Sequence, residues 1–248
     1  MPHSGMNEEM PNDSTISCYD DHSRAYDEYQ SAVVPYYEDM LDLVARACQR
    51  YIGNRSKILD LGCGTGNASA ALLKRYPSRE VSVFLIDGSK QMVEAAREKV
   101  NRISPGSVIG CRVANLSMAG WDQGLSPPEF DAIISTLVLE HLPFDSYKEV
   151  LDSCYRLLKP GGWLIAVEGY EEQDSDMQQW FNEEMELRRQ KLNPSMSDFI
   201  AHLRAQKEVH YYCSKGDKMN WWRESGFRQV NVLWQYLCIA LMAGRKPF

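Results

Sequence analysis

A predicted strand, a glycine-rich turn and a predicted helix follow one another early in this chain. Residues 58–61 are apolar except for Asp60, which indicates a buried strand, and residues 67–75 have a helical pattern. The turn between them contains Gly62, Gly64 and Gly66. Because glycine has no side chain, a ligand can approach the backbone of such a turn closely. Glycine can also serve there only for tight packing, so the turn predicts an α/β unit with a candidate ligand site.

Two acids narrow the choice of ligand. A second predicted strand, residues 81–86, ends in Asp87, 21 positions after Gly66, where a carboxylate can accept hydrogen bonds from both hydroxyls of a ribose. Asp60 precedes the turn; it would repel a diphosphate but could hold an ammonium group, directly or through water. The glycine spacing differs from that of dinucleotide-binding turns, and no phosphate-binding Gly-Lys-Ser/Thr follows it. The pattern favours a nucleoside that carries an amino acid.

Four segments of the chain resemble the class I S-adenosylmethionine-dependent methyltransferases, in the order and spacing of that family. They are ILDLGCGTG (58–66), LIDGSKQMVEAA (85–96), FDAIISTLVLEHLP (130–143) and LLKPGGWLIAVE (157–168). The tail, residues 218–246, is similar to the branch related to the tRNA wobble-uridine carboxymethyl enzymes. The resemblance implies S-adenosyl-L-methionine as the cofactor, with S-adenosyl-L-homocysteine or methylthioadenosine as the product.

The alternation of strands and helices predicts a parallel sheet with helices on both faces. The predicted strands are 57–61, 81–86, 108–113, 130–136, 162–168, 229–236 and 238–245, and the predicted helices of the sheet are 67–75, 89–100, 117–122, 145–158 and 217–225. With the resemblance, the expected fold is an α/β Rossmann-like, seven-stranded, mostly parallel sheet with an antiparallel C-terminal strand.

The expected domain organisation is one domain with two helical additions. Residues 1–16 are polar and predicted to be disordered. Residues 17–248 form the single domain, of which 17–55 are a helical cap. Residues 170–215 are a lid insertion with predicted helices at 175–191 and 196–207, although a helical pair that merely packs on the domain is the alternative.

The composition limits the partners. A net charge of -7 without a basic run disfavours a nucleic-acid substrate. Seven cysteines without CxxC spacing argue against a disulfide framework and a zinc site, so no metal is expected. The chain shows neither a signal-peptide pattern nor a membrane-spanning apolar run. We therefore expect a cytoplasmic enzyme with a small-molecule substrate, as a monomer or homodimer.

The resemblance assigns the cofactor contacts residue by residue. The assigned residues are Tyr19, Arg24, Tyr26, Asp60, Gly62, Cys63, Gly64, Asp87, Gly88, Ser89, Met92, Asn115, Leu116, Ser135 and Thr136. The turn and its acid would hold the methionine part, and the 87–92 segment would hold the ribose and adenine. Ser89 could equally be only the N-cap of the next helix. Asn115 stands where the family often has an acid that reads the adenine amine.

The candidate catalytic residues are His141, Tyr170 and Tyr211. The pKa of histidine suits proton removal at neutral pH, but His141 could instead have a structural role at a helix start. The tyrosines belong to a larger set of aromatic pocket candidates, and aromatic faces can stabilise a sulfonium by about 0.5–2 kcal/mol.

The predicted function is methyl transfer to a small metabolite enclosed by the lid, with alignment of the reacting atoms as the largest catalytic contribution. Three alternatives remain open. The cofactor could cyclise to azetidine-2-carboxylate and methylthioadenosine, a tRNA wobble base could be the substrate, or the protein could bind the cofactor without catalysis.

Overall fold

The computed structural model describes residues 26–76, 81–190 and 210–248. Its helices are α1 (26–33), α2 (Tyr37–Tyr51), α3 (Asn67–Lys74), α4 (Lys90–Ile103), α5 (Phe144–Leu157), α6 (Ser175–Arg189) and α7 (Lys215–Glu224). Its strands are β1 (Ser56–Leu61), β2 (Val81–Asp87), β3 (Val108–Val113), β4 (Phe130–Thr136), β5 (Leu158–Gly169), β6 (Arg228–Tyr236) and β7 (Ile239–Arg245).

The strands of the described residues form one seven-stranded sheet in the order β3-β2-β1-β4-β5-β7-β6. The first five strands in this order are parallel, whereas β7 is antiparallel to both β5 and β6. The predicted α/β, Rossmann-like, mostly parallel sheet with an antiparallel C-terminal strand is confirmed. The strand order reverses direction between β1 and β4, and ligands of open α/β sheets bind at the carboxyl ends of strands at such a point.

Two apolar layers cover the two faces of the sheet. Ile58 of β1 lies in a cluster with the buried residues of α2, α3 and α4, whereas its neighbour Leu59 lies in a second cluster with α5 and α7. This alternation follows from the two-residue period of strand side chains. In α2, Met40, Leu41 and Val44 occupy one helical face and are buried, as the spacing predicts.

One predicted helix and one predicted strand boundary were wrong. Residues 117–122 form turns, not a helix, because Gly120 adopts a left-handed conformation (φ 84°) that interrupts helical geometry. Strand β5 starts at Leu158, four residues before the prediction, and its pairing with β4 is interrupted there: Phe130 pairs with Leu158, but Ala132 pairs with Trp163. The four residues 159–162 bulge out within the strand.

The helical additions are described only in part. Helix α6 covers residues 175–189 of the predicted 175–191 and buries Phe181. The predicted tail at 1–16 and the predicted helix at 196–207 lie outside the described residues. The cap and lid assignments therefore remain predictions.

Candidate functional site

The glycine turn lies at the carboxyl end of β1, beside the strand-order reversal. Gly62, Gly64 and Gly66 have φ values of 69°, 49° and 84°, which side-chain-bearing residues rarely adopt. The Cys63 amide donates to the Ile86 carbonyl at 2.8 Å, which fixes the turn against the end of β2. Cys63 is buried, and burial raises the pKa of its thiol well above the ordinary value, so its backbone is the part available for binding.

Each glycine is also in close contact with another element. A Cβ on Gly66 would lie 2.9 Å from the Ala96 Cα in α4, and a Cβ on Gly62 would overlap the side chain of Val138. At Gly64 the nearest atom would be the Tyr26 ring at 3.5 Å. The turn is therefore enclosed by α4, the segment after β4 and α1, and only glycine fits at its two ends.

Asp60 is completely buried below this turn. Its Oδ2 accepts a 2.5 Å hydrogen bond from Ser69 Oγ, and its Oδ1 has no hydrogen-bond partner among the described residues. Burial raises the pKa of Asp60 to about 7. A buried carboxylate oxygen without a donor destabilises the site, and a cationic ammonium would compensate it. Asp60 therefore fits the amino group of an amino-acid-bearing nucleoside.

Asp87 connects the turn to the end of β2. Its Oδ2 accepts from the Gly64 amide at 2.8 Å, and its Oδ1 accepts from the Ser89 amide at 2.9 Å. A carboxylate has about four lone-pair sites, so these two contacts orient the group and leave capacity for ribose hydroxyls. Gly88 follows directly after the strand.

Ser89 caps helix α4, one of the two roles that the sequence left open. Its Oγ accepts from the Met92 amide at 3.1 Å, and Met92 itself is buried. A cap of this kind satisfies one of the free amides of the first helical turn. The predicted adenine contacts of both residues stay predictions.

The segment after β3 is held by an internal turn. Asn115 Oδ1 accepts from the Ser117 amide at 2.9 Å and from Ser117 Oγ at 2.7 Å, and Leu116 is buried in the core. An amide oxygen has two lone pairs. The predicted bond from an adenine amine to this oxygen would have to replace one of these contacts.

The end of β4 lies next to the glycine turn. Ser135 is buried, and its hydroxyl donates to the Leu61 carbonyl at 2.8 Å, so its side chain joins β4 to β1. Thr136 is half-buried at the last strand position. Leu137 follows in a left-handed conformation (φ 58°). The predicted cofactor contacts of Ser135 and Thr136 are not tested by these bonds.

A short 3-10 turn, Leu139–His141, comes next and brings together residues distant in sequence. The Tyr211 amide donates to the Glu140 carbonyl at 2.7 Å. The His141 and His210 ring centroids are 4.4 Å apart, and the His210 ring stacks on Tyr212 at 4.9 Å. Two of the predicted catalytic residues, His141 and Tyr211, therefore lie in one cluster. His210 is also part of this cluster and was not identified from the sequence.

Aromatic rings extend this cluster. The Phe144 ring lies 6.1 Å from Tyr211 and 5.5 Å from Trp221, and Lys148 Nζ lies 4.9 Å from the centre of the Trp221 ring. Phe144 is exposed and Trp221 half-buried. Together with the histidines, these rings form a partly open surface near the carboxyl end of β4.

A buried polar network supports this surface from below. Lys218 Nζ donates to Glu168 Oε2 at 2.7 Å, Tyr147 Oη donates to Glu168 Oε1 at 3.0 Å, and Trp222 Nε1 donates to Tyr147 Oη at 2.9 Å. Lys218 and Glu168 are each 1% exposed. Burial would lower the pKa of Lys218, but the neighbouring carboxylates of Glu168 and Glu140 raise it. Sequence reasoning missed this network because its members come from separate elements.

Tyr170 follows directly after β5. Its hydroxyl donates to the Leu237 carbonyl and accepts from Gln235, and burial raises its pKa to about 12. The hydroxyl is thus engaged in the β6–β7 hairpin, so its catalytic role has no support from these contacts. Tyr26 faces the glycine turn, whereas the predicted cofactor residues Tyr19 and Arg24 lie outside the described residues.

Neither a helix long and apolar enough to cross a membrane nor a group of three metal-binding side chains occurs in residues 26–76, 81–190 and 210–248.

Several known proteins are similar to this chain. A family model described as a methyltransferase domain matches residues 58–162. A carboxy-S-adenosyl-L-methionine synthase from Campylobacter lari is 23% identical over 215 residues, 86% of each chain. Another synthase of that name, from Actinobacillus succinogenes, is 26% identical over 144 residues; the match spans 57% of this chain and about half (56%) of that relative.

The solved structures show the same fold. An O-methyltransferase family protein from Burkholderia thailandensis superposes with a TM-score of 0.64 at 20% identity, covering 93% of this chain and 62% of the other. The matched family segment, residues 58–162, contains the glycine turn, Asp60 and Asp87.

Proposed function

We propose that the chain is a class I S-adenosylmethionine-dependent methyltransferase and that it transfers the cofactor's methyl group to a small-molecule acceptor. The observation that carries the cofactor site is the buried Asp60 carboxylate, whose Oδ1 has no donor within the described structure. Asp60 comes just before the turn that contains Gly62, Gly64 and Gly66, all with positive φ.

The residues present fit S-adenosylmethionine. Asp60 would hold the ammonium group, Asp87 the ribose hydroxyls, and the backbone of Gly62 and Gly64 the chain between them. When bound, the cofactor supplies a sulfonium whose methyl group is electrophilic. The protein's task is then to bind both partners, exclude water and align the acceptor atom, which can account for about 7–11 kcal/mol of a reaction barrier.

The surface formed by His141, His210, Tyr211 and Tyr212 is the proposed acceptor site. It lies at the carboxyl end of β4, and Val138, three residues before His141, contacts the glycine turn at Gly62. A histidine ring nitrogen can accept the proton that an oxygen, nitrogen or sulfur acceptor loses, and such proton transfer contributes typically 10²–10⁴-fold. We assign this role to His141, with the aromatic rings orienting a planar acceptor.

Charge supports a small acceptor over a nucleic acid. The net charge is -7, and nucleic-acid binding depends on cationic contacts to phosphates. The aromatic rings around Phe144 and Trp221 instead favour an apolar or aromatic molecule.

Incubation of the purified protein with S-adenosylmethionine and a panel of small phenols, amines and thiols tests the proposal. Mass spectrometry should show S-adenosylhomocysteine and a methylated acceptor only when an acceptor is present. Methylthioadenosine formed above spontaneous breakdown without an acceptor would instead indicate cyclisation of the cofactor. A methylated tRNA and unmodified small molecules would overturn the choice of acceptor.

A second candidate is chemistry on the cofactor itself. The Campylobacter lari relative, which matches 86% of this chain, is named for making carboxy-S-adenosyl-L-methionine. The same experiment, run with small carboxylic acids as donors, separates the candidates, because a cofactor with the added mass of a carboxyl group would favour this second function.

A further inference from the structure

A polar cluster joins helix α1 to the glycine turn. Asp27 Oδ2 accepts from Lys99 Nζ at 2.6 Å, and Asp27 Oδ1 accepts from Asn67 Nδ2 at 2.9 Å and from the Thr65 hydroxyl. Lys99 also donates to Thr65 Oγ1 at 3.1 Å. We call Asp27, Thr65, Asn67 and Lys99 the clasp.

The clasp connects both halves of the proposed cofactor site. Thr65 belongs to the turn after β1 and Asn67 begins α3, whereas Lys99 comes from α4, the helix that follows Asp87. Asn67 Nδ2 also donates to Tyr37 Oη in α2 at 3.0 Å. One carboxylate in α1 thus binds three elements at the carboxyl edge of the sheet.

The neighbours of Asp27 stabilise the ionised form of its carboxylate. Burial would raise its pKa, but the hydrogen bond and charge of Lys99, with the donors Thr65 and Asn67, lower it. Hydrogen bonds to charged groups are stronger than neutral ones. The clasp therefore stays charged at neutral pH.

Tyr26, the neighbour of Asp27, connects the clasp to the glycine turn. Tyr26 lies over the turn, 3.5 Å from the position of a Cβ on Gly64, and the Gly64 amide in turn donates to Asp87. A displacement of α1 would therefore expose the turn at Gly64, whose amide orients the Asp87 carboxylate that is predicted to bind the ribose.

We infer that Asp27 is a positioning residue whose clasp to Thr65, Asn67 and Lys99 fastens α1 and Tyr26 over the glycine turn and so retains the bound nucleoside. The inference rests on the proposed cofactor site. Loss of the clasp should accelerate dissociation of the nucleoside, because α1 then leaves the turn more often, while the turn itself stays folded.

The chain offers a matched control. Asp42 of α2 pairs with Arg75, which follows α3 at the end far from the turn. The Asp42 and Asp27 carboxylates have similar exposure, 48% and 45%. Asp42→Asn therefore removes an ion pair between the N-terminal helices and the α3 region without touching the turn.

The test measures S-adenosylhomocysteine binding to the full chain by calorimetry and its dissociation rate by stopped flow. Asp27→Asn should raise the dissociation rate about tenfold, the scale expected for one charged hydrogen bond, whereas Asp42→Asn should leave it unchanged. Lys99→Met should act like Asp27→Asn, and the double variant should add little to either. Equal rates for wild type and Asp27→Asn would overturn the inference while the proposed function stands.

Amide hydrogen exchange of residues 26–33 gives a second readout. In the ligand-free protein, Asp27→Asn should accelerate exchange in this segment and Asp42→Asn should not. Unchanged exchange in Asp27→Asn would also overturn the inference. Absence of S-adenosylhomocysteine binding by the wild-type protein would overturn the proposed function, and the inference with it.

Discussion

The two sides of the candidate site are built differently. On the cofactor side, the Asp87 carboxylate is held by two backbone amides, those of Gly64 at the glycine turn and of Ser89 two residues after it. On the acceptor side, His141 meets His210 and Tyr211, about 70 positions later, and a buried network from α5, β5 and α7 lies below them.

This difference separates a site fixed by local backbone geometry from one fixed by distant side chains. The cofactor side depends on conformations that only glycine adopts easily, so changes there should affect nucleoside binding directly. The acceptor side depends on packing, so changes there should affect catalysis or stability and leave nucleoside affinity intact.

The largest expected effect is on catalysis at the acceptor side. His141→Gln removes the proposed proton acceptor and should lower kcat by about 10²–10⁴-fold, with unchanged affinity for S-adenosylhomocysteine. His210→Gln is the matched control in the same ring stack and should change kcat less. Steady-state kinetics and calorimetry provide the two measurements, and an unaltered kcat in His141→Gln would assign this histidine a structural role.

Lys218→Met should cause the largest loss of stability. It leaves the buried Glu168 without its cation, and breaking a buried pair costs about 3–5 kcal/mol. Lys159→Met is the control, because its 2.8 Å bond to Asp131 is as short as the 2.7 Å bond of Lys218 but lies at the surface, where a pair contributes about 0–1 kcal/mol. Denaturant unfolding measures both.

Nucleoside affinity measured on the folded fraction of Lys218→Met sharpens the comparison. It should equal that of wild type, since Lys218 touches the acceptor side alone. A fall in affinity would show that the two sides are not independent.

Gly66→Ala tests the cofactor side. A Cβ there meets the Ala96 backbone at 2.9 Å at a φ of 84°, and left-handed strain plus overpacking should together cost about 2–5 kcal/mol and weaken nucleoside binding strongly. Gly106→Ala isolates the strain, because Gly106 has a φ of 83° with nothing within 4 Å of its Cβ. It should lose only about 1–2 kcal/mol and retain full affinity.

The same division explains what the sequence could predict. The sheet and the turn followed from apolar runs and from Gly62, Gly64 and Gly66, because strand period and positive φ are local properties. The helix predicted at 117–122 does not form because Gly120 is left-handed, and the early start of β5 is set by its pairing with β4. His210 and Lys218 could not be placed, because their partners, His141 and Glu168 respectively, lie 50 or more positions away in sequence.

Asp60 predicts a pH dependence of binding. Its pKa of about 7 in the ligand-free protein exceeds its ordinary 3.8, so an ammonium ligand must displace its proton below pH 7. Affinity for S-adenosylhomocysteine should rise by up to about tenfold per pH unit toward pH 7 and level off above it. Asp60→Asn should bind more weakly and show no such rise in calorimetry between about pH 5.5 and about pH 8.

The stability of the ligand-free protein gives the opposite sign. Because the folded-state pKa of Asp60 is raised, its contribution to stability is complete below about pH 3.8 and is lost as the pH rises toward about 7. Asp60→Asn should remove this decline. A wild-type affinity independent of pH would contradict the ammonium contact.

The smallest effect concerns Ser89, which belongs to the cofactor side but caps a helix. Ser89→Ala removes the acceptor of the Met92 amide, and loss of such a cap costs about 0.5–2 kcal/mol. Alanine retains the backbone amide that donates to Asp87. The lost cap should therefore lower folding stability and leave nucleoside affinity within about threefold of wild type. Thermal unfolding and calorimetry on one preparation measure both. A larger fall in affinity would show that the hydroxyl itself contacts the nucleoside, and the backbone account of the cofactor side would then need a side-chain contribution.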